Sequence, residues 1–262
     1  MNHDNGKRTV LLLGGSKGLG LGVAEALVQR GVNVALVGRD EAALRAAEKR
    51  FEGQPGAVLS FRCDLLDRAS VSLMMSEVDE RVRAVDIVLL NGGGPPPFAA
   101  SHFDESTWQT QFGAMFISQV SVATHYLSAM RKRGFGRIIA VSSTSVREPI
   151  PGLAASNALR SALAGWAKTL ATEVAKDGVT VNVVLPGRFA TERTTRLDTL
   201  DAIDRRVDPA FIAAESQREI PLGRYGTPQE FGAVVSFLAT QDASYITGVA
   251  LPVDGGLSRS ML

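Results

Sequence analysis

A chain of 262 residues with 45% hydrophobic content can bury a sizeable core and is expected to form one domain. Its 28 Lys and Arg against 27 Asp and Glu leave a net charge of +1, which argues against nucleic acid or an anionic membrane as partner. The single cysteine, Cys63, excludes an intrachain disulfide framework and suits a reducing compartment; in "VLSFRCDL" it reads as a small core residue rather than a reactive thiol.

The first nine residues, "MNHDNGKRT", are polar, and the apolar run after them is too short for a signal peptide or membrane span, so a cytoplasmic location is expected. From there, short β-rich runs alternate with longer segments of helical period. This is the pattern of an α/β protein with a doubly wound parallel sheet of about seven strands and helices on both faces. Strands are expected at 9–14, 33–38, 57–62, 86–91, 136–143, 179–186 and 248–254. The intervening helical segments include "GLGLGVAEALVQRG", "DEAALRAAEKRFEG", "ASVSLMMSEVDERV", a long stretch over 105–132, a segment over 152–178 and "TPQEFGAVVSFLAT", with Asp40 and Thr227 as caps. The polar stretch 188–218 exceeds ordinary loop length and is expected to be a substrate lid; its Arg188, Arg193 and Arg196 are candidates to attract an anionic substrate, but six basic against six acidic residues favour a solvated loop.

The first strand runs into "LLLGGSKGLGLG", which puts Gly14, Gly18 and Gly20 at a strand-to-helix junction. Absent side chains there let backbone amides approach a phosphate at a helix N-terminus. The spacing is G-x-x-x-G-x-G, and a glycine turn alone is weak evidence; its position before the first helix strengthens it. Gly14, Ser16, Lys17, Gly18, Leu19 and Gly20 are therefore the candidate dinucleotide loop. The second strand ends "VGRD". An acidic residue at that tip suits a ribose diol and an arginine suits a 2′-phosphate, so Arg39, with Lys17 as a second cation, favours NADP(H) over NAD(H). After the third strand, Asp64 and Leu65 are candidates for the adenine. After the fourth, Asn91, Gly92 and Gly93 of "NGGGPPP" are candidates for the cofactor's ribose, although loop termination alone also explains those glycines and prolines.

These motifs resemble the short-chain dehydrogenase/reductase family over nearly the whole chain. "GGSKGLG" is similar to its glycine motif, with Leu13 where threonine is usual, and "NGGG" to its Asn-Asn-Ala-Gly motif. "GRIIAVSS" is similar to the strand carrying its catalytic serine, "VTVNVVLPGRFAT" to its Pro-Gly loop, and "IPLGRYGTPQEFGAVVSFLAT", "SYITG" and "VDGG" to its C-terminal signature. The likeness is greatest to divergent 3-oxoacyl-reductase-like members. It implies a Rossmann-like fold, a nicotinamide cofactor touched by Pro186, Gly187 and Thr191, a small-molecule carbonyl or alcohol substrate, and a homotetramer or homodimer built through the fourth and fifth helices.

The family's catalytic set transfers only in part. Its serine falls on Ser143, but its tyrosine falls on Ser156, its lysine on Arg160 and its helical asparagine on Met115; no tyrosine lies between Tyr126 and Tyr225. Ser156 and Arg160, at i and i+4, share a helix face, so position is kept while acidity is not. An aliphatic hydroxyl is a far weaker acid than a phenol, and an arginine donates hydrogen bonds without giving up a proton. Ser143 is thus expected to be the principal donor to a developing alkoxide, Ser156 an auxiliary donor and Arg160 an electrostatic and ribose anchor. Simple packing roles for Ser156 and Arg160 are the alternative, and with them a cofactor-binding regulatory or scaffold protein without turnover. Arg147 and Glu148 fall where relatives line the substrate pocket. His102 and His125 lack partners at metal-ligand spacing, and no metal is expected.

Overall fold

The computed structural model describes residues 7–260; the polar start from which the location was read lies largely in residues 1–6, outside them. The strands are β1 (Thr9–Leu13), β2 (Asn33–Gly38), β3 (Val58–Arg62), β4 (Ile87–Leu90), β5 (Gly136–Val141), β6 (Val179–Pro186) and β7 (Ala250–Val253). The helices are α1 (Gly18–Gln29), α2 (Glu41–Arg50), α3 (Arg68–Arg81), α4 (Glu105–Phe112), α5 (Ser118–Arg133), α6 (Ala154–Val174), α7 (Glu192–Arg205), α8 (Pro209–Glu219) and α9 (Pro228–Leu238).

All seven strands pair in parallel in the order β3-β2-β1-β4-β5-β6-β7. Side chains alternate across each strand, so a doubly covered sheet needs apolar residues at every position. β1, β2, β4 and β5 are buried throughout. Leu11 and Leu13 point into one core with Val88, Met130 and Leu163, while Val10 and Leu12 point into the other with Val23, Phe231 and Val235. The chain leaves β1 in one direction to form β2 and β3 and returns beside β1 as β4. That reversal opens a crevice at the carboxyl ends of β1 and β4, where ligands bind in sheets of this kind. No helix among the described residues is long and apolar enough to cross a membrane.

Two segments differ from the sequence reading. The stretch 105–132 is not one regular helix: α4 and α5 join through a π-helical turn over Gly113–Ile117. The stretch 188–218 is not a loop. Thr191 caps α7, and Asp208 caps α8 with Pro209 in its first turn, so most of this polar segment is helical.

The C-terminal signature owes part of its form to a capping box on α9. Thr227 Oγ1 accepts from the Glu230 N–H at 3.2 Å, Glu230 Oε2 accepts from the Thr227 N–H at 2.7 Å, and Arg224 pairs with Glu230 at 2.6 Å. The Arg224 bond first, and the Thr227 amide second, pull the Glu230 carboxyl down to about 2. Because the folded value lies below the ordinary 4.5, the contribution is complete above about pH 4.5 and is lost as pH falls through about 2. Thr227→Ala is expected to cost about 1 kcal/mol. Glu230→Gln is expected to lower Tm near neutrality by an amount that shrinks steadily below pH about 4.5; a deficit constant with pH in thermal melts would contradict this assignment.

Candidate active site

The crevice at the β1–β4 switch collects most of the residues singled out from sequence. Asn91 Nδ2 donates to the Gly14 carbonyl at 3.1 Å, tying the end of β4 to the end of β1. Gly14 has φ +63°, and a side chain there would press on the Asn91 carbonyl. A Cβ on Gly20 would overlap the Gly14 carbonyl oxygen and lie 2.9 Å from the Gly15 Cα, so α1 starts against the loop. Unlike α2, α3, α7, α8 and α9, helix α1 has no side-chain cap, which leaves its first-turn N–H groups without a side-chain acceptor. A close-packed glycine turn below uncapped amides fits a pyrophosphate.

Around this loop, Lys17 Nζ pairs with Asp40 Oδ2 at 3.0 Å, which brings the loop lysine to the tip of β2 beside Arg39. Arg39 is exposed and makes no ion pair among the described residues. Asp64 Oδ1 accepts from the Leu66 N–H at 3.1 Å, and the Leu65 carbonyl accepts from Ser118 Oγ at 2.9 Å, fixing the turn after β3. The Gln119 side-chain amide packs beneath Gly92. From β6, Gly187 N–H donates to the Val253 carbonyl at 3.0 Å, and the Thr191 methyl lies 3.6 Å from where a Gly18 Cβ would stand. Thr191 therefore faces the glycine loop from the opposite wall.

Ser143 follows β5 and is partly exposed. Its oxygen accepts from the Ser145 N–H at 3.1 Å, so its own proton remains free to be donated into the crevice. One helix away, Ser156 is buried at 4% exposure and Arg160 sits a turn beyond it. Arg160 Nε donates to Ser156 Oγ at 3.1 Å, and its Nη1 donates to the Val141 and Ser142 carbonyls at 3.1 and 2.9 Å. The guanidinium occupies the space beside the small Ser156 side chain and clamps the end of β5, while its Nη2 makes no hydrogen bond among the described residues. Burial first, and the neighbouring Arg193 charge second, push it down to about 10. Met115, inside the π-helical turn, is 4% exposed and packs with Ala155, Leu159, Phe98 and Trp108, making the wall behind Ser156 apolar.

Sequence reasoning placed Arg188, Arg193 and Arg196 together in a solvated loop, and the structure separates them. Arg188 pairs with the buried Asp198 at 3.0 Å, and Tyr225 Oη donates to the same carboxylate at 2.8 Å. Arg193, in the first turn of α7, lays its guanidinium against Gly94 in the crevice. The signal that could have revealed this is the helix start at Thr191, which directs the first turn of α7 back toward the glycine loop. Arg147 and Glu148 are held by the C-terminal segment: Arg147 Nη2 donates to the Ala250 carbonyl, and Glu148 Oε1 accepts from the amides of Arg259 and Ser260. His125 pairs with Asp79, His102 lies edge-on to Phe98, and Cys63 is buried with its thiol pushed up to about 11.

A family profile described as enoyl-(acyl carrier protein) reductase matches residues 14–258. The 3-oxoacyl-[acyl-carrier-protein] reductase of Mycobacterium bovis is 32% identical over 250 residues, covering 95% of this chain and 92% of that protein. The chain belongs to the short-chain dehydrogenase/reductase family. As a member, it is an oxidoreductase. The L-sorbose reductase of Gluconobacter frateurii, solved with NADPH and L-sorbose, superposes with a TM-score of 0.91 at 27% identity, over 97% of this chain and 98% of that one. An actinorhodin polyketide ketoreductase solved with NADPH gives 0.90 at 27% identity, over the same shares of each chain. Within the short-chain dehydrogenase/reductase fold, the serine at 156 and the arginine at 160 form one hydrogen-bonded unit with the strand that carries Ser143.

Proposed function

We propose that this chain is an NADP(H)-dependent carbonyl reductase or alcohol dehydrogenase with an atypical catalytic site, in which residues 188–218 form a helical lid. The observation that carries this reading is the Ser143 hydroxyl, oriented by the Ser145 amide with its proton free, at the mouth of a crevice lined by the glycine loop and Thr191. NADPH, when bound, supplies the hydride. Gly14, Ser16, Lys17, Gly18, Leu19 and Gly20 cradle its pyrophosphate, Arg39 and Lys17 take its 2′-phosphate, and Asp64 and Leu65 border its adenine. Asn91, Gly92, Gly93, Pro186, Gly187 and Thr191 border its ribose and nicotinamide. Ser143 donates to the carbonyl oxygen as charge develops, and Ser156 and Arg160 hold the strand end that presents it. The Arg160 charge also favours the alkoxide without transferring a proton, which then comes from solvent.

The relatives named as 3-oxoacyl reductases support a 3-oxoacyl-type carbonyl as substrate class. Homo-oligomer formation through the 105–132 stretch, which is α4 and α5 here, and through α6 is part of the proposal, supported by the exposed Phe103 and Phe112 just before the start and at the end of α4. A second reading, cofactor binding without turnover, is favoured by the apolar Met115 wall and by the engagement of Ser156 with Arg160.

Following NADPH absorbance with aldehydes, ketones and 3-oxoacyl thioesters separates the two. Turnover supports the enzyme; tight NADPH binding without oxidation across the panel supports the second reading. Arg39→Ala is expected to weaken NADPH binding by roughly 10- to 100-fold, the value of a charge-assisted bond, and to leave NADH binding unchanged. Equal loss for both dinucleotides in fluorescence titrations would remove Arg39 from the phosphate site.

A further inference from the structure

The crevice holds two arginines that no carboxylate among the described residues neutralises. Arg160 spends its Nε and Nη1 on Ser156 Oγ and two backbone carbonyls and keeps Nη2 free. Arg193 makes no hydrogen bond or ion pair among the described residues, although its Cζ, Nη1 and Nη2 are all packed against Gly94. The charges are close enough for Arg193 to depress Arg160, and Arg193 is itself lowered, by burial first and by Arg196 second. Elsewhere in the same lid, cations are neutralised: Arg188 by Asp198, and Arg205 by Glu215 and Asp201. Glu192, the acidic residue next to Arg193, instead acts on Lys17 across the glycine loop. Arg193 also lies in the first turn of α7, the end of a helix that disfavours a cation. Two guanidinium groups whose charges act on one another, with no carboxylate paired to either among the described residues, are a repulsive arrangement that an anion relieves.

Resting on the reading of this crevice as a reductase site, we propose that Arg193, with the free edge of Arg160, is a specificity-determining anion subsite, and that the substrate is a carbonyl compound carrying its own carboxylate. The planar guanidinium of Arg193 presents two parallel N–H groups, the geometry that grips a carboxylate. The wall behind Ser156 is apolar, so an anion placed at the mouth stays near the two arginines and leaves the carbonyl facing Ser143. Because α7 carries Arg193, substrate charge and lid position are coupled.

The test is calorimetry on the protein saturated with NADP+, so that it reads binding whether or not turnover occurs. The probes are acetoacetate, its neutral methyl ester and inorganic phosphate. Acetoacetate is expected to bind at least tenfold tighter than the ester. Arg193→Leu is expected to erase that difference and Arg193→Lys to restore part of it, with NADP+ affinity unchanged within about twofold in both variants. Equal binding of acid and ester, or no detectable binding of either, overturns the proposal. A loss of NADP+ affinity in Arg193→Leu also overturns it, by assigning the arginine to the cofactor, and so does phosphate binding tighter than acetoacetate, by making the ligand a phosphate. In a separate absorbance assay with NADPH as the hydride donor, absence of acetoacetate-dependent NADPH oxidation with carboxylate selectivity intact overturns the reductase reading and leaves the subsite standing.

Discussion

Ser143→Ala lowers kcat by about 10²- to 10³-fold on any carbonyl substrate the protein reduces, while NADPH affinity stays within about twofold. The size follows from removing one oriented donor to a developing oxyanion, worth about 3–4 kcal/mol in a site of this type. The effect is expected at the high end because Ser143 has little help: Ser156 is buried at 4% exposure beside Arg160, and Met115 contributes no polar atom. The serine also accepts from the Ser145 N–H, so alanine disturbs the short turn that follows. Ser143→Thr keeps the hydroxyl and the acceptor and is expected to recover most of the rate. Steady-state kinetics of the two variants beside their NADPH titrations decide the matter: equal activity of wild type and alanine variant removes Ser143 from the chemistry.

Gly20→Val reduces the affinity for both NADPH and NADH by at least about 100-fold. The Cβ would overlap the Gly14 carbonyl and crowd the Gly15 Cα, and both are backbone, so the loop itself must move away from the start of α1. Moving it displaces the amides that a pyrophosphate needs, whichever nicotinamide dinucleotide is offered. Overpacking of this kind also costs about 1–3 kcal/mol of stability, so melting curves are run beside the titrations. A folded variant that binds NADPH as the wild type does would break the assignment of the glycine turn.

The sheet was legible because each strand is dominated by a short apolar run, and because β1, β2, β4 and β5 are buried throughout, with Thr9, Asn33 and Arg137 as buried polar residues at or near the strand starts. The glycine loop was legible from its place between β1 and α1, and the Ser156–Arg160 pair from its helical spacing. What Arg160 touches was not, since the Val141 and Ser142 carbonyls come from a strand 18 or more residues earlier in the chain. Helices α7 and α8 are hard to read from sequence because their balanced charges and weak apolar stripe resemble a solvated loop, although Thr191 and the Asp208–Pro209 pair are ordinary helix-start signals. The π-helical turn leaves no trace in the pattern of "QFGAMFISQV", so the sequence shows Met115 only as the residue at the family's asparagine position and not as part of a small apolar cluster.

That cluster has a consequence for traffic through the protein. Met115 and Leu159 are buried and pack with Phe98 and Trp108, so on the proposed reading a hydrogen ion that quenches a newly made alcohol would arrive from the side where Arg193 of α7 lies against Gly94. With residues 188–218 as the lid proposed above, substrate entry, product escape and proton supply would share a single threshold, and the opening of one helical flap would pace all three.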